Sequence, residues 1–158
     1  MILVGLQQET AGALLAWKYG GRENMASIEI IEGIGAKYGK KMRAAGIRST
    51  GALLKAGASA KGRKELAEKT GFSPHQILEW TNRADLMRVR GVGEEYSDLL
   101  EAAGVDTAKE LRTRNPGNLL AKMEEVNAAK KLVRRLPALS MVKRWIAHAK
   151  ELPPVMTY

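Results

Sequence analysis

Two stretches of sequence decide the fold of this chain: IEIIEGIGAKYGKKMRAAGI (residues 28–47) and LMRVRGVGEEYSDLLEAAGV (residues 86–105). Their corner glycines match in pairs at a spacing of 58 residues (91 − 33 = 58), Gly33 with Gly91 and Gly35 with Gly93. Each stretch begins with apolar residues, turns at Gly-apolar-Gly and continues into an amphipathic segment that ends in Ala-Ala-Gly. Glycine is suited to such a corner because it tolerates a positive φ. The pattern predicts a helical hairpin that occurs twice.

This outline is typical of a helix-hairpin-helix. The few aromatic residues and the lack of a long alternating apolar run favour an all-α fold. We expect tandem helix-hairpin-helix repeats, each followed by a helix pair and packed together as one compact helical domain, because a short hairpin cannot bury its own apolar face.

The helix limits follow from capping residues and helix breakers. Ser27, Ser49, Ser73 and Thr107 are predicted N-caps, and Pro74 is predicted at the first position of its helix. The last two helices are predicted over residues 119–136, with a break near 126–127, and over residues 140–152. Pro153 and Pro154 are expected to end the ordered part.

The chain of 158 residues is divided accordingly. The predicted segments are an N-terminal extension with a short helix (1–24), the first repeat (25–85), the second repeat (86–152) and a C-terminal tail (153–158). Met25 directly precedes the first repeat and is an alternative start, a choice that the sequence leaves open.

The net charge of +9 and the pI near 9.9 favour an anionic partner, most often nucleic acid. The chain has no cysteine, which excludes disulfides and Cys-ligated zinc and agrees with a cytoplasmic location. No stretch is long and apolar enough to span a bilayer, and the N-terminus lacks the features of a signal peptide. We therefore expect no membrane association.

The first hairpin is the predicted nucleic-acid-binding site. The N–H groups at the start of its second helix are expected to bind a phosphate, helped by the helix dipole and nearby cations. Ile34 is expected to hold the corner in the core. The predicted site residues are Gly33, Ile34, Gly35, Lys37, Lys40, Lys41 and Arg43. Such contacts read no bases, so binding would tolerate any sequence and depend on salt.

The second hairpin has the same predicted shape as the first, but acidic residues follow its corner where lysines follow the first. Glu94 and Glu95 follow its corner and would repel a phosphate. We expect this corner to be mainly structural and only a weak binding candidate, through Gly91, Val92, Gly93, Arg88 and Arg90.

Other patterns leave alternatives open. Residues 63–80 resemble a helix-turn-helix that would present Ser73, His75 and Gln76 to a major groove, or an ordinary helix pair. Basic blocks on both sides of the acidic second hairpin also suit self-association. His75 and His148 are expected on the surface, and Trp80 and Trp145 in the core. No pattern for catalysis, a metal or a cofactor is present.

From Ser27 to Tyr158 the chain resembles an uncharacterised bacterial and archaeal family of tandem helix-hairpin-helix proteins. The most specific stretches are GRKELAEKTGFS, ADLMRVRGVGEEYSDLLEAAGVDTAKEL, NPGNLLAKMEEVN and ELPPVMTY. The resemblance implies the fold and the hairpin pair but no activity. Helix-hairpin-helix proteins more widely imply DNA binding through Gly33, Gly35 and Lys37.

The sequence therefore predicts a non-enzymatic, sequence-tolerant DNA-binding module whose first hairpin holds backbone phosphate. The alternative is a protein-interaction or assembly adaptor in which both hairpins are structural. A weaker third reading is an accessory subunit of an enzyme.

Overall fold

The computed structural model describes residues 26–158. This part contains no strand, and its only β-type pairing is one isolated bridge between Ser27 and Ser49. A 3₁₀ helix comes first, over Ile28–Ile30. It is followed by α1 (Gly35–Ala44), α2 (Thr50–Gly57), α3 (Ala60–Thr70), α4 (Pro74–Leu86), α5 (Glu94–Ala102), α6 (Ala108–Leu111), α7 (Pro116–Lys130) and α8 (Leu139–Glu151). The all-helical prediction is confirmed for residues 26–158, whereas the predicted N-terminal helix and the choice of start at Met25 lie outside them.

Side-chain capping sets where five of these helices begin. The capping residues are Ser49 for α2, Ser59 for α3, Ser73 for α4, Thr107 for α6 and Asn115 for α7. Each side chain accepts a hydrogen bond from a backbone N–H of the first turn, which would otherwise lack a partner within the helix. The predicted caps at Ser49, Ser73 and Thr107 are confirmed.

Three local predictions are wrong: the cap at Ser27, the end of the helix at residue 136, and its break near residues 126–127, where α7 is continuous. Ser27 makes no side-chain cap with any described residue; its hydroxyl instead accepts a hydrogen bond from Arg43, at 3.2 Å. The helix predicted to reach residue 136 ends at Lys130, because Lys131 adopts a left-handed conformation (φ 51°). Asn127 then holds the segment that follows α7. Its side chain accepts a hydrogen bond from the backbone N–H of Val133 and donates one to the backbone carbonyl of Val133.

The repeat extends further than the two hairpins. Helices α4 and α8 both have 13 residues, and a buried tryptophan occupies the seventh position of each, Trp80 and Trp145 (145 − 80 = 65). Each indole contacts the tyrosine of its own hairpin, Tyr38 or Tyr96. One structural unit is therefore a hairpin followed by three helices, of which the last carries the tryptophan.

Each unit has its own hydrophobic core. The first core surrounds Met42, Leu53 and Ile77, and the second surrounds Leu99, Leu111 and Trp145. Helix α4 joins the units, because Ile77 and Trp80 lie in the first core whereas its last residue, Leu86, lies in the second. Helix α5 packs in the second core and also contacts α4.

The tail does not behave as predicted. After α8 the chain returns to the first unit, where Val155 and Met156 are buried in its core. Thr157 donates its backbone N–H to the carbonyl of Ala58 at 2.8 Å, and Arg63 donates to the carbonyl of Thr157 at 2.7 Å. The expectation that order ends at the two prolines is wrong, because the residues beyond them complete a core.

Candidate nucleic-acid interface

The start of α1 is the structural centre of the predicted phosphate site. Ile34 precedes this helix and is 3% exposed, so the corner is held by the core as predicted. No described side chain caps the helix, and its first turn contains no acidic residue. The first N–H groups of a helix have no partner within it. The geometry therefore leaves this helix start suited to an anion.

The two corners share their first glycine conformation but not the second. Gly33 and Gly91 have φ values of 90° and 88°. Gly35 then has a φ of 58°, whereas Gly93 is extended with a φ of −103°. The second hairpin therefore keeps the backbone geometry of the first only in part.

The lysines of the first hairpin are accessible. Lys37, Lys40 and Lys41 are all exposed on α1. Lys41 lies above the ring of Phe72, with its nitrogen 5.5 Å from the ring centroid. Arg43 differs from them, because its guanidinium forms an ion pair with Glu29 and also binds the hydroxyl of Ser27. The predicted set is thus divided: Arg43 joins α1 to the residues before the corner, and the three lysines are exposed.

Acidic side chains also surround the first corner. A depression of about 520 Å³ runs along residues 31–38 and includes Lys37. Three carboxylates line it, those of Glu29, Glu32 and Glu94. Glu94 comes from the second hairpin, so sequence proximity gave no sign of it. These acids lower the positive potential that the α1 lysines would create alone.

Arg83 connects the first corner to α5. Its guanidinium donates to the backbone carbonyl of Glu32 at 2.6 Å and to the carboxylate of Glu101 at 2.7 Å. Asp98 Oδ1 lies 3.2 Å from Arg83 Nε but accepts no hydrogen bond from the described residues. Burial raises the pKa of Asp98 to about 6 against the attraction of Arg83, and Glu32, Glu101 and Glu94 add repulsion.

Arg88 is structural and not a surface cation. It is 1% exposed and donates to Asp85 Oδ1 at 2.8 Å and to the carbonyl of Pro153 at 2.7 Å. The other oxygen of Asp85 accepts the N–H of Ala108, the first residue of α6. The prediction of Arg88 as a weak binding candidate is therefore wrong, because its guanidinium joins α4 to the tail inside the protein.

Arg90, in contrast, borders an open pocket. This pocket has a volume of about 430 Å³ and lies between the second corner and one face of α8. Its lining residues are Arg90, Gly91, Met141, Arg144, Trp145, Ala147, His148 and Glu151. The backbone N–H of Arg90 donates to His148 Nδ1 at 2.9 Å. Sequence reasoning missed Arg144 and His148 as neighbours of the corner, although the matching positions of Trp80 and Trp145 could have revealed them.

Helices α3 and α4 are the pair that resembles a helix-turn-helix. Ile77 and Trp80 are buried as that pattern requires. Ser73 and Gln76 bind each other in a capping box, and His75 lies 3.4 Å from Glu79. Two of the three predicted base-reading side chains are therefore engaged in starting α4.

Residues 26–158 contain no cluster of His, Asp and Glu suited to hold a metal ion. Within the same range, no helix has both the length and the apolar character needed to cross a membrane.

Residues 26–158 thus form an all-helical fold. A comparison with protein families matches residues 32–152 to DUF4332, described as a domain of unknown function, and the chain belongs to this family. Searches of curated proteins and of solved structures gave no match.

Proposed function

We propose that the two units are tandem helix-hairpin-helix motifs and that the first binds the phosphate backbone of DNA without reading its sequence. The observation that carries this proposal is the start of α1, which is uncapped by the described residues and free of acidic residues in its first turn. The hairpin helix of the second unit, α5, also begins without a side-chain cap, but Glu94 and Glu95 occupy its first turn. Only the first of the two therefore favours an external anion.

The exposed lysines extend the same surface. Lys37 lies in the first turn of α1, and Lys40 follows at the spacing that places two side chains on one helix face. A phosphate bound by the amides would receive charge-assisted hydrogen bonds from these lysines. No base contact is needed, which makes the binding independent of sequence.

Duplex binding at increasing salt tests this function. With about three phosphate contacts, affinity should fall roughly 40-fold between 50 and 200 mM salt. A Lys37→Gln/Lys40→Gln variant should bind more weakly at every salt concentration. The slope of log affinity against log salt concentration should become shallower by about two.

The matched control is Lys61→Gln/Lys64→Gln, which removes two exposed lysines from α3 and not from the hairpin. It changes net charge equally and should retain most of the affinity. Equal losses in both variants, or no binding by the parent protein, would refute a hairpin site.

A second candidate function is self-association, as in an assembly adaptor. Leu132 and Leu136, between α7 and α8, and Leu139, the first residue of α8, are 37–40% exposed. Exposed cations alternate with these leucines, at Lys130, Lys131, Arg134 and Arg135. The exposed acids at the start of α5 on a second copy would complement them.

Sedimentation equilibrium across protein concentration tests the self-association. A Leu132→Gln/Leu136→Gln variant should dissociate at concentrations where the parent forms dimers. A parent that stays monomeric up to millimolar concentration would exclude it.

A further inference from the structure

The exposed leucines of the described chain are concentrated in one short stretch. Four large apolar side chains are exposed within residues 26–158, and three of them lie between residues 132 and 139. These three are Leu132, Leu136 and Leu139. Single exposed apolar residues are common on protein surfaces, whereas a group with polar neighbours indicates a contact site for a protein or a membrane.

Cations without nearby acids accompany these leucines. The sequence contains no acidic residue from position 126 to position 150. Four exposed cations lie beside the leucines and form no ion pair within residues 26–158, namely Lys130, Lys131, Arg134 and Arg135. We call these four cations and the three leucines the basic-leucine surface. It is cationic and apolar at the same time.

The second unit holds this surface in place. Val133 and Pro137 are buried between its exposed residues. The side chain of Asn127 forms two hydrogen bonds with the backbone of Val133, and the hydroxyl of Tyr96 donates to the carbonyl of Arg135 at 3.2 Å. The leucines and cations therefore project from a fixed backbone, which lowers the ordering cost of binding.

The partner of this surface must offer negative charge and an apolar phase side by side. A nucleic acid backbone offers the charge but leaves the leucines in water. A second copy offers Glu94 and Glu95 at the start of α5, but the large apolar side chains exposed in its described part are the same three leucines and Tyr158. Leucine-to-leucine contact would bring the cations of both copies together, which is unfavourable. An anionic bilayer offers both features, because its headgroups attract cations and its acyl region accepts leucine.

We propose that the basic-leucine surface docks on an anionic lipid bilayer, with its leucines in the interface and its cations against the headgroups. The expectation of no membrane association rested on spanning and signal segments, and a surface that lies on the bilayer requires neither. The surface belongs to the second unit and the proposed DNA site to α1, so the two proposals can fail separately.

Cosedimentation with sucrose-loaded vesicles tests the docking. The anionic vesicles contain about one third phosphatidylserine in phosphatidylcholine, and vesicles of phosphatidylcholine alone are the uncharged comparison. The full chain should bind the anionic vesicles, and binding should weaken as salt rises. Binding to the uncharged vesicles should be weaker by at least roughly tenfold.

Two double variants test the two components of the surface. Leu132→Gln/Leu136→Gln should weaken binding to the anionic vesicles roughly tenfold, because two apolar side chains no longer enter the interface. Arg134→Gln/Arg135→Gln should weaken it roughly thirtyfold at low salt. All four positions are exposed, and thermal unfolding of both variants checks that the fold is retained.

Each component has a matched control elsewhere on the protein. Lys61→Gln/Lys64→Gln removes the same charge from α3, and Tyr158→Gln removes the fourth exposed apolar side chain. Both controls should bind within about twofold of the parent. Equal weakening in the α3 control and in Arg134→Gln/Arg135→Gln would overturn the proposal, because any cation of the protein would then serve. A leucine variant that binds like the parent, or a parent that binds no vesicles, would also overturn it.

The same variants identify the other occupants. If the parent ignores vesicles while Arg134→Gln/Arg135→Gln weakens duplex binding, the surface binds nucleic acid. If the parent ignores vesicles while Leu132→Gln/Leu136→Gln dissociates a dimer, the surface binds a second copy. Both results would overturn docking on lipid, and Lys37→Gln/Lys40→Gln reports separately on the first hairpin.

Discussion

The indole nitrogen of Trp80 lies against the backbone of Gly33, so closely that a Cβ on that glycine would be 3.2 Å from Nε1. Trp145 has the same relationship to Gly91, at 3.0 Å. The first glycine of each corner therefore has two roles. It adopts a positive φ, and it leaves room for the ring that supports the corner from the last helix of its unit.

The corner glycines of the second hairpin provide a stability test. Gly91→Ala should lower the free energy of unfolding by about 1–3 kcal/mol, because it combines a left-handed φ with a contact to Trp145. Gly93→Ala should be nearly neutral, since Gly93 has a negative φ and no described atom lies within 4 Å of its Cβ position. Urea denaturation measures both, and equal effects would contradict this explanation of the corner.

The buried ion pair of Asp85 and Arg88 provides a second test. Arg88→Met should cost about 3–5 kcal/mol, because it leaves a buried carboxylate without its cation and removes the bond to the tail. Arg48→Met, at an exposed arginine before α2, should change stability by less than about 0.5 kcal/mol. Chemical denaturation of the two variants checks this, and a small effect at Arg88 would show that the pair is dispensable.

Asp98 should make stability depend on pH. Its folded pKa, near 6, is above the ordinary value of 3.8, so the folded state binds more protons between about pH 4 and pH 6. The contribution of Asp98 to the free energy of unfolding therefore falls as pH rises through that window. Asp98→Asn should be more stable than the parent by about 1–2 kcal/mol at pH 7, with the advantage lost near pH 4.

Denaturation at several pH values measures that difference, and Glu95→Gln on the same helix serves as the exposed control. A difference between Asp98→Asn and the parent that does not vary with pH would contradict the shifted pKa.

The acids near the first corner predict a gain of affinity. Glu94→Gln should tighten duplex binding about two- to fivefold, because Glu94 lines the depression beside Lys37 and repels a phosphate there. Glu95 is also exposed in the first turn of α5 but does not line the depression. Its Gln variant should have a smaller effect. Fluorescence anisotropy at low salt measures both, and no gain from Glu94→Gln would place the phosphate elsewhere.

Local signals in the sequence predicted much of the fold. Capping at Ser49 and Thr107 depends on residues within one turn, and Gly33, Gly35 and Gly91 have a positive φ that few other residues adopt. The place of the tail was not predictable in this way. Val155 and Met156 are buried in a core whose other members lie between residues 28 and 87, and no local pattern encodes such a contact.

The charge around the candidate sites was also hidden in the sequence. A run of lysines made the first corner look purely basic, but the fold brings Glu94 to it from the other hairpin. The second corner looked acidic, but α8 adds Arg144 and His148 to Arg90. Arg88 shows the reverse case. It counts as a cation in the sequence, but it is buried and its charge is paired with that of Asp85. Charge counted along the chain differs here from charge arranged in space.

The return of the tail has a consequence for synthesis. A chain leaves the ribosome from its N-terminal end, so the first unit emerges before the residues that fill its core. Val155 and Met156 come after the whole second unit. The first unit therefore keeps part of its apolar surface in water until the second unit has been made.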